Sequence, residues 1–327
     1  SSANTYTQGT IIQEGTLTAG DAQALGDGVA RIYRGATLNI ADGKTLSLPG
    51  GLVFDTQLAP GAGAGARGAL TGTGTAQYGD TVGVGGAITL NTDAEVGGTG
   101  GMLTLTGAIT GAGRLYKVGA GTVVLGNAAN DYSGGTTISD GTLKTSAASV
   151  LPDDKEVQVA AGLLDIQVHN QSVGKLLGAG NIELGTAATL TVRDGDFAGH
   201  ISGAGKLSKT STGSLILSSS SNYTGGTTIQ EGTLTAGDAQ ALGGGLATVA
   251  SGATLNIADN VVLSMASGLN LSGSGVSGAG ALTGTGTAQY MGGVTLSADS
   301  HVGAATGAQL TLTGAITGPH ALFKVGA

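Results

Sequence analysis

No cysteine occurs in the 327 residues, which excludes a disulfide scaffold and a thiolate metal site. Tryptophan is also missing and aromatic residues make up 3% of the chain, too few for the aromatic girdles of a membrane barrel. No apolar run approaches the roughly 18 residues of a spanning helix. No leader peptide is legible at Ser1, so any leader or anchor is expected outside these residues. Charged residues amount to 10%, and the net charge is -8. The 13 basic residues are spread thinly. Neither nucleic acid nor an anionic membrane surface is an expected partner, because both need clustered Lys and Arg.

Glycine is what the chain has in excess, with 64 residues. The Gly-X-Y period of collagen is absent, which removes the first explanation of such a content. Disorder is the second explanation, and apolar alternation argues against it. Leu103 to Ile109 (LTLTGAI) and Gly213 to Ser218 (GSLILS) carry apolar residues at every second position, the pattern of strands with one buried face.

Self-comparison is the richest signal. Gly111 to Leu143 reads GAGRLYKVGAGTVVLGNAANDYSGGTTISDGTL, and Gly203 to Leu234 reads GAGKLSKTSTGSLILSSSSNYTGGTTIQEGTL. The chain opens inside a third copy, Thr5 to Leu17, and closes inside a fourth, Gly318 to Ala327. The expectation is a segment of a longer repetitive polypeptide. Residues 6–48 match 223–265, ALTGTGTAQY at 69–78 returns at 281–290, and LTLTGAITG at 103–111 returns at 310–318. The residues lost between copies fall around LAPGAGAGARG and VGGTGG, glycine-rich turns that a stack of coils tolerates. We divide the chain into internal repeats at about 5–129, 130–221 and 222–327 of a single solenoid.

A finer period lies within the large one. Leu17 and Leu38, Ile88 and Ile109, Leu143 and Leu164, and Leu234 and Leu255 are each 21 residues apart. Such a coil, with short strands and turns at Gly, Asn and Asp, is a solenoid rung. Over 327 residues it predicts an all-β chain, a parallel β-helix of about 15 rungs of roughly 21 residues each. Leu, Ile, Val and Ala point inward, and Thr and Ser outward, where a β-branch suits extended backbone and the hydroxyl meets water. Ala19 to Leu25 and its twin at 236–242 are the best cases for a turn of helix.

The repeated text, Gly-Ala-Gly-x-Leu-x-Lys followed by Gly-x-Gly-Thr-Val-Val-Leu, Asn-x-Tyr-Ser-Gly-Gly-Thr-Thr-Ile and Gly-Thr-Leu, resembles the β-strand repeat of autotransporter passengers. Residues 162–192 resemble the segment that links two such repeats. The resemblance implies a right-handed β-helix exported through the outer membrane of a Gram-negative bacterium by a C-terminal barrel lying outside these residues. It also implies a location at the cell surface, anchored or released. Members of this family include adhesins, self-associating factors and stalks that carry an enzyme.

Chemical candidates are few. Gly63 to Gly68 and Gly273 to Gly278 fit GxGxxG, but neither sits in a βαβ unit with a following acidic residue, so no nucleotide is expected. His169, His200, His301 and His320 lack metal-ligand spacing. Arg193-Asp-Gly-Asp196 is the one close basic-acidic group, and we read it as a turn between strands. The acidic run Asp153 to Glu156 reads as a solvated loop. No catalytic, cofactor or metal residue is assigned. The repeat-structural residues are Tyr6, Tyr132 and Tyr223 at one position and Lys117, Lys209 and Lys324 at another, with Gly111, Gly113, Gly203 and Gly205. The tyrosines read as packing or stacking, the glycines as corners, and the lysines as a repeated surface feature. The expected function is a structural and adhesive surface element without enzymatic activity. It would self-associate in trans or bind a host or abiotic surface. The alternative is a passive stalk presenting an upstream protease or lipase.

Overall fold

The computed structural model describes residues 3–58, 68–79, 86–98 and 100–326. The fold is a parallel β-solenoid of about 14 turns, one fewer than the sequence estimate. Among the described residues the helical content is a single 3₁₀ turn at Val276–Gly278. Residues 63–67 of the first glycine motif lie outside the described residues. The second motif is a strand end at Gly273 followed by that 3₁₀ turn.

Two compact units are present, Ser1–Asp165 and Ile166–Ala327. In the first, strands stack in parallel on three faces. One face runs through Thr10–Ile12, Ala30–Arg34, Leu52–Leu58, Ile88–Leu90 and Ile109–Gly111. In the second unit the strands Gln171–Gly178, Thr189–Phe197, Lys206–Lys209, Thr227–Ile229, Ala247–Val249, Leu269–Gly273 and Val294–Ala304 follow one another on a common face. All four pairs expected from the 21-residue period stand in register: Leu17 with Leu38, Ile88 with Ile109, Leu143 with Leu164, and Leu234 with Leu255.

That register builds the core. Because side chains alternate across a strand, in-register leucines fall into one inward column. In the first unit such a column runs Ala76, Leu103, Val123, Leu143, Leu164, with every member buried. In the second unit it runs Leu215, Leu234, Leu255, Leu282, again buried throughout. Each fully buried leucine contributes roughly 1.5–3 kcal/mol, offset by the entropy of ordering the chain.

Turns are tied to the neighbouring rung by short polar side chains. Asp42 Oδ1 accepts from Thr75 N at 2.8 Å, and its repeat equivalent Asp259 Oδ1 accepts from Thr287 N at 2.7 Å. Asn130 Oδ1 takes Ile109 N, and Asn170 Oδ1 takes Thr189 N, each at 2.8 Å. These bonds satisfy backbone N–H groups that the strand ladders leave over at the corners. Ala19 to Leu25 is not a helical turn but two overlapping β-turns, with Ala24 N donating to Asp21 O and Gly26 N to Gln23 O. Asp21 Oδ1 accepts from Gln23 N and diverts the chain from a helix. The twin at 236–242 repeats this with Asp238 and Gln240.

Candidate functional site

The repeat-structural residues divide into three devices. Tyr132 and Tyr223 are fully buried. Their phenol oxygens lie 2.7 Å and 2.6 Å from the hydroxyls of Thr136 and Thr227, four residues on. Burial pushes both phenols up in pKa, with the threonine bond pulling back. Tyr6 makes the same 2.6 Å contact with Thr10 but is 43% exposed. The tyrosine is a core filler whose polar end has its own threonine.

The glycines mark where one rung passes close over another. Gly111 and Gly203 have φ of +105° and +99°, and a Cβ on either would run into the carbonyl oxygen of Leu90 or Leu184 respectively. A Cβ on Gly113 would meet Thr92 O, and one on Gly205 would lie 2.6 Å from Ala188 O.

The lysines overturn the surface expectation. In Leu115–Val118, Lys117 has the parity of buried Leu115, and in Lys206–Lys209, Lys209 has that of buried Leu207. Register places Lys117 between Val96 and Ile138, and Lys209 between Val192 and Ile229. Both lysines therefore stand in inward apolar columns, and both side chains are buried. Each stem crosses the core, and its ammonium ends among backbone carbonyls at a corner. Lys117 Nζ donates to Val118 O at 3.1 Å, Gly119 O at 2.6 Å and Asp140 O at 2.8 Å. Lys209 Nζ donates to Thr210 O at 2.8 Å, Ser211 O at 2.7 Å and Glu231 O at 3.2 Å. Lys324 shares the donation two residues on, to Gly326 O at 2.8 Å, and is exposed. An ammonium has three donors, and three oxygens are what make its burial tolerable. Desolvation still lowers the pKa of Lys117 to about 8, opposed by the charge of Asp140. Lys209 is lowered for the same reason, against Asp194 and Glu231.

The remaining candidates do not converge. Arg193 to Asp196 is no turn: all four residues lie inside the continuous strand Thr189–Phe197. Asp153 and Asp154 are exposed, as a solvated loop requires, but Glu156 opens a strand and pairs with Arg114 at 2.8 Å. His200 Nδ1 contacts Ser220 O at 2.7 Å, and His301 packs against Phe323 with ring centroids 5.1 Å apart.

Outward Thr and Ser are expected from the sequence, and the structure shows which of them line up. In the second unit, Ser172, Thr191, Ser208, Thr228, Thr248, Asn270, Thr295 and Thr317 pair successively, strand to strand. Each of the first seven sits between two buried residues of its strand; Ser208 is itself buried, and the other six are partly or fully exposed, so the column points outward except at that rung. Hydroxyl or amide groups thus repeat at every rung, about 4.8 Å apart. In the first unit the repeat counterparts of Thr228 and Thr248 are Ile11 and Arg31, and their column, continued by Val53, Thr89 and Thr110, is broken in character.

The passenger-associated-transport-repeat family model matches residues 1–19, 115–144 and 207–236. The latter two stretches each contain a complete lysine cage, with Lys117 and Asp140 in one and Lys209 and Glu231 in the other. The chain is 35% identical over 173 residues to the Adhesin BmaC autotransporter of Brucella suis, covering 49% of this chain and 5% of that protein. It is 41% identical over 117 residues to the uncharacterized protein YuaQ of Escherichia coli, covering 34% of this chain and 8% of the other. It is 29% identical over 222 residues to the uncharacterized lipoprotein YdeK of the same species, covering 67% and 15%. The chain thus spans a small part of the length of each of these relatives. No solved structure matches it. Passenger-associated-transport repeats on a parallel β-solenoid, with similarity over about half of the chain to an autotransporter adhesin, relate this chain to the surface-exposed passenger domains of Gram-negative autotransporters.

Proposed function

We propose that this passenger is a structural and adhesive element that holds cells to one another, in aggregates and biofilms, or to host or abiotic surfaces. The observation that carries the reading is the outward column from Ser172 to Thr317. Each neutral hydrogen bond is worth about 1 kcal/mol, but a regular row of donors and acceptors sums along a face and is multiplied over many copies on a cell. The sparse charge, 10% of residues, limits repulsion between two such faces. Self-association in trans is the partner that suits a self-complementary row, with the parent protein anchored by its outer-membrane barrel. Relatedness to a named adhesin supports the same reading. The test is display of the chain on a non-clumping Gram-negative host, followed by settling and surface-binding assays. Settling should be rapid for the native chain and lost for the triple substitution Thr191→Lys, Thr228→Lys and Thr248→Lys, which sets like charges at three rungs of the row. Equal settling of the two chains would sink the reading.

A passive stalk is the second reading. It is favoured by the chain covering only 5% of the Brucella adhesin's length, which leaves room for an effector elsewhere in the parent protein. A well-displayed native chain that neither clumps nor binds surfaces would decide for it.

A further inference from the structure

Among the described residues, Lys117 and Lys209 are the two buried cations, and neither the adhesive reading nor ordinary core packing uses their charge. An apolar side chain would fill the same inward slot, as Ile138 and Ile229 do on the following rung. The difference lies at the far end of the stem. The carbonyls of Val118 and Gly119 lead out of one strand, and that of Asp140 belongs to the corner of the next rung. The second copy repeats this with Thr210, Ser211 and Glu231. Corner oxygens of two successive rungs thus converge on one point, where their partial negative charges would repel if the point were empty.

The glycine after each acidic residue is part of the same device. Gly141 has φ of +63°, and a Cβ there would stand 2.6 Å from Lys117 Nζ and 2.5 Å from Gly121 O. Gly232 has φ of +66°, and a Cβ there would stand 2.5 Å from Ser211 O. The corner closes around the ammonium only because that position is bare.

We propose that Lys117 and Lys209 are built-in cations, each occupying a three-carbonyl site that latches two successive rungs of the passenger repeat at one corner. The latch holds rung spacing where the ladder ends, and its strength resides in N–H donation, not in the volume of the stem. Acidic neighbours help to keep the group charged: Asp140 for Lys117, and Asp194 and Glu231 for Lys209.

Two measurements test this on the 327-residue chain. In the native chain, an amine-reactive ester at mildly alkaline pH, read by peptide mass spectrometry, should label Lys117 and Lys209 about a hundredfold more slowly than exposed Lys175 and Lys206, since reaction requires opening the corner. Labelling of the four at comparable rates would overturn the proposal, and this arm needs no variant. In the second arm, Lys117→Met keeps an unbranched stem and removes the donors. Amide exchange at residues 118–121 and 139–142 should then quicken by about tenfold or more, while the Lys209 corner is unchanged. Methylammonium should restore slow exchange in Lys117→Ala, and tetramethylammonium, which has no N–H, should not. Unchanged exchange in Lys117→Met, or equal rescue by both ions, would show a stem that merely fills space.

Discussion

Removing one phenol oxygen at each of the three repeat tyrosines should give three different costs, although the motif is the same. Tyr132 and Thr136 are both fully buried and their oxygens are 2.7 Å apart. Tyr132→Phe leaves the Thr136 hydroxyl in the core without a partner among the described residues. An orphaned buried polar group costs about 1–3 kcal/mol. At Tyr223 the bond is 2.6 Å, but Thr227 also donates to Leu242 O at 3.4 Å. Tyr223→Phe thus leaves Thr227 one partner, and the expected cost falls to about 0.5–1.5 kcal/mol. Tyr6 bonds Thr10 at 2.6 Å while 43% exposed. Water replaces that bond, so Tyr6→Phe should cost at most a few tenths of a kcal/mol. Solenoids open locally, so the assay is amide exchange in the rung that carries each tyrosine. A cost of 1.4 kcal/mol reads as about a tenfold acceleration. The order Tyr132, Tyr223, Tyr6 is the prediction. If Tyr6→Phe perturbs its rung as much as Tyr132→Phe does, burial of the hydroxyl pair is not what sets its value.

Two further predictions rest on the corners. The Lys117 pKa is lowered from its usual 10.5 to about 8, so between those values the unfolded chain binds more protons than the folded one. Stability relative to Lys117→Met should therefore rise as pH climbs from about 8 to 10.5 and fall back as pH drops through 8. Urea midpoints of the two chains across that range check the sign, and a gap that narrows with rising pH would contradict it. At the close approaches, Gly111→Ala must cost more than Gly252→Ala. Both have positive φ, at +105° and +86°, but a Cβ at Gly111 meets the Leu90 carbonyl, whereas one at Gly252 meets nothing within 4 Å. The Gly252 change should cost about 1–2 kcal/mol from backbone strain alone, and the Gly111 change clearly more, read from thermal midpoints. Equal midpoints would dismiss the steric argument.

Much of the fold is legible in the amino-acid sequence. The 21-residue spacing of Leu17 and Leu38 or Leu234 and Leu255 placed those pairs in register, because at those rungs one coil is 21 residues long. Return with the rung marked Tyr6, Tyr132 and Tyr223 as packing or stacking residues; Tyr132 and Tyr223 are buried, while Tyr6 is 43% exposed. The lysines depart from the surface expectation even though their parity is legible in the sequence: Leu115 with Lys117 and Leu207 with Lys209 share a face. The general rule that ammonium groups stay in water outweighed that parity. What removes the rule here is a set of carbonyls, one of which comes from 23 residues away.

The sequence by itself determined the class of fold, the coil length and the identity of the repeated unit, because these depend on periodicity and on the alternation of a strand. Tertiary structure decided which outward residues line up. Thr191 faces Ser208 across 17 residues, Thr248 faces Asn270 across 22, and Asn270 faces Thr295 across 25. Rung length varies through the turns while the strand ladder keeps its own registry, so the hydroxyl column exists only once the turns have closed. The same holds for the lysine cages, where side-chain direction is local but the oxygens that receive the charge are supplied by the next rung.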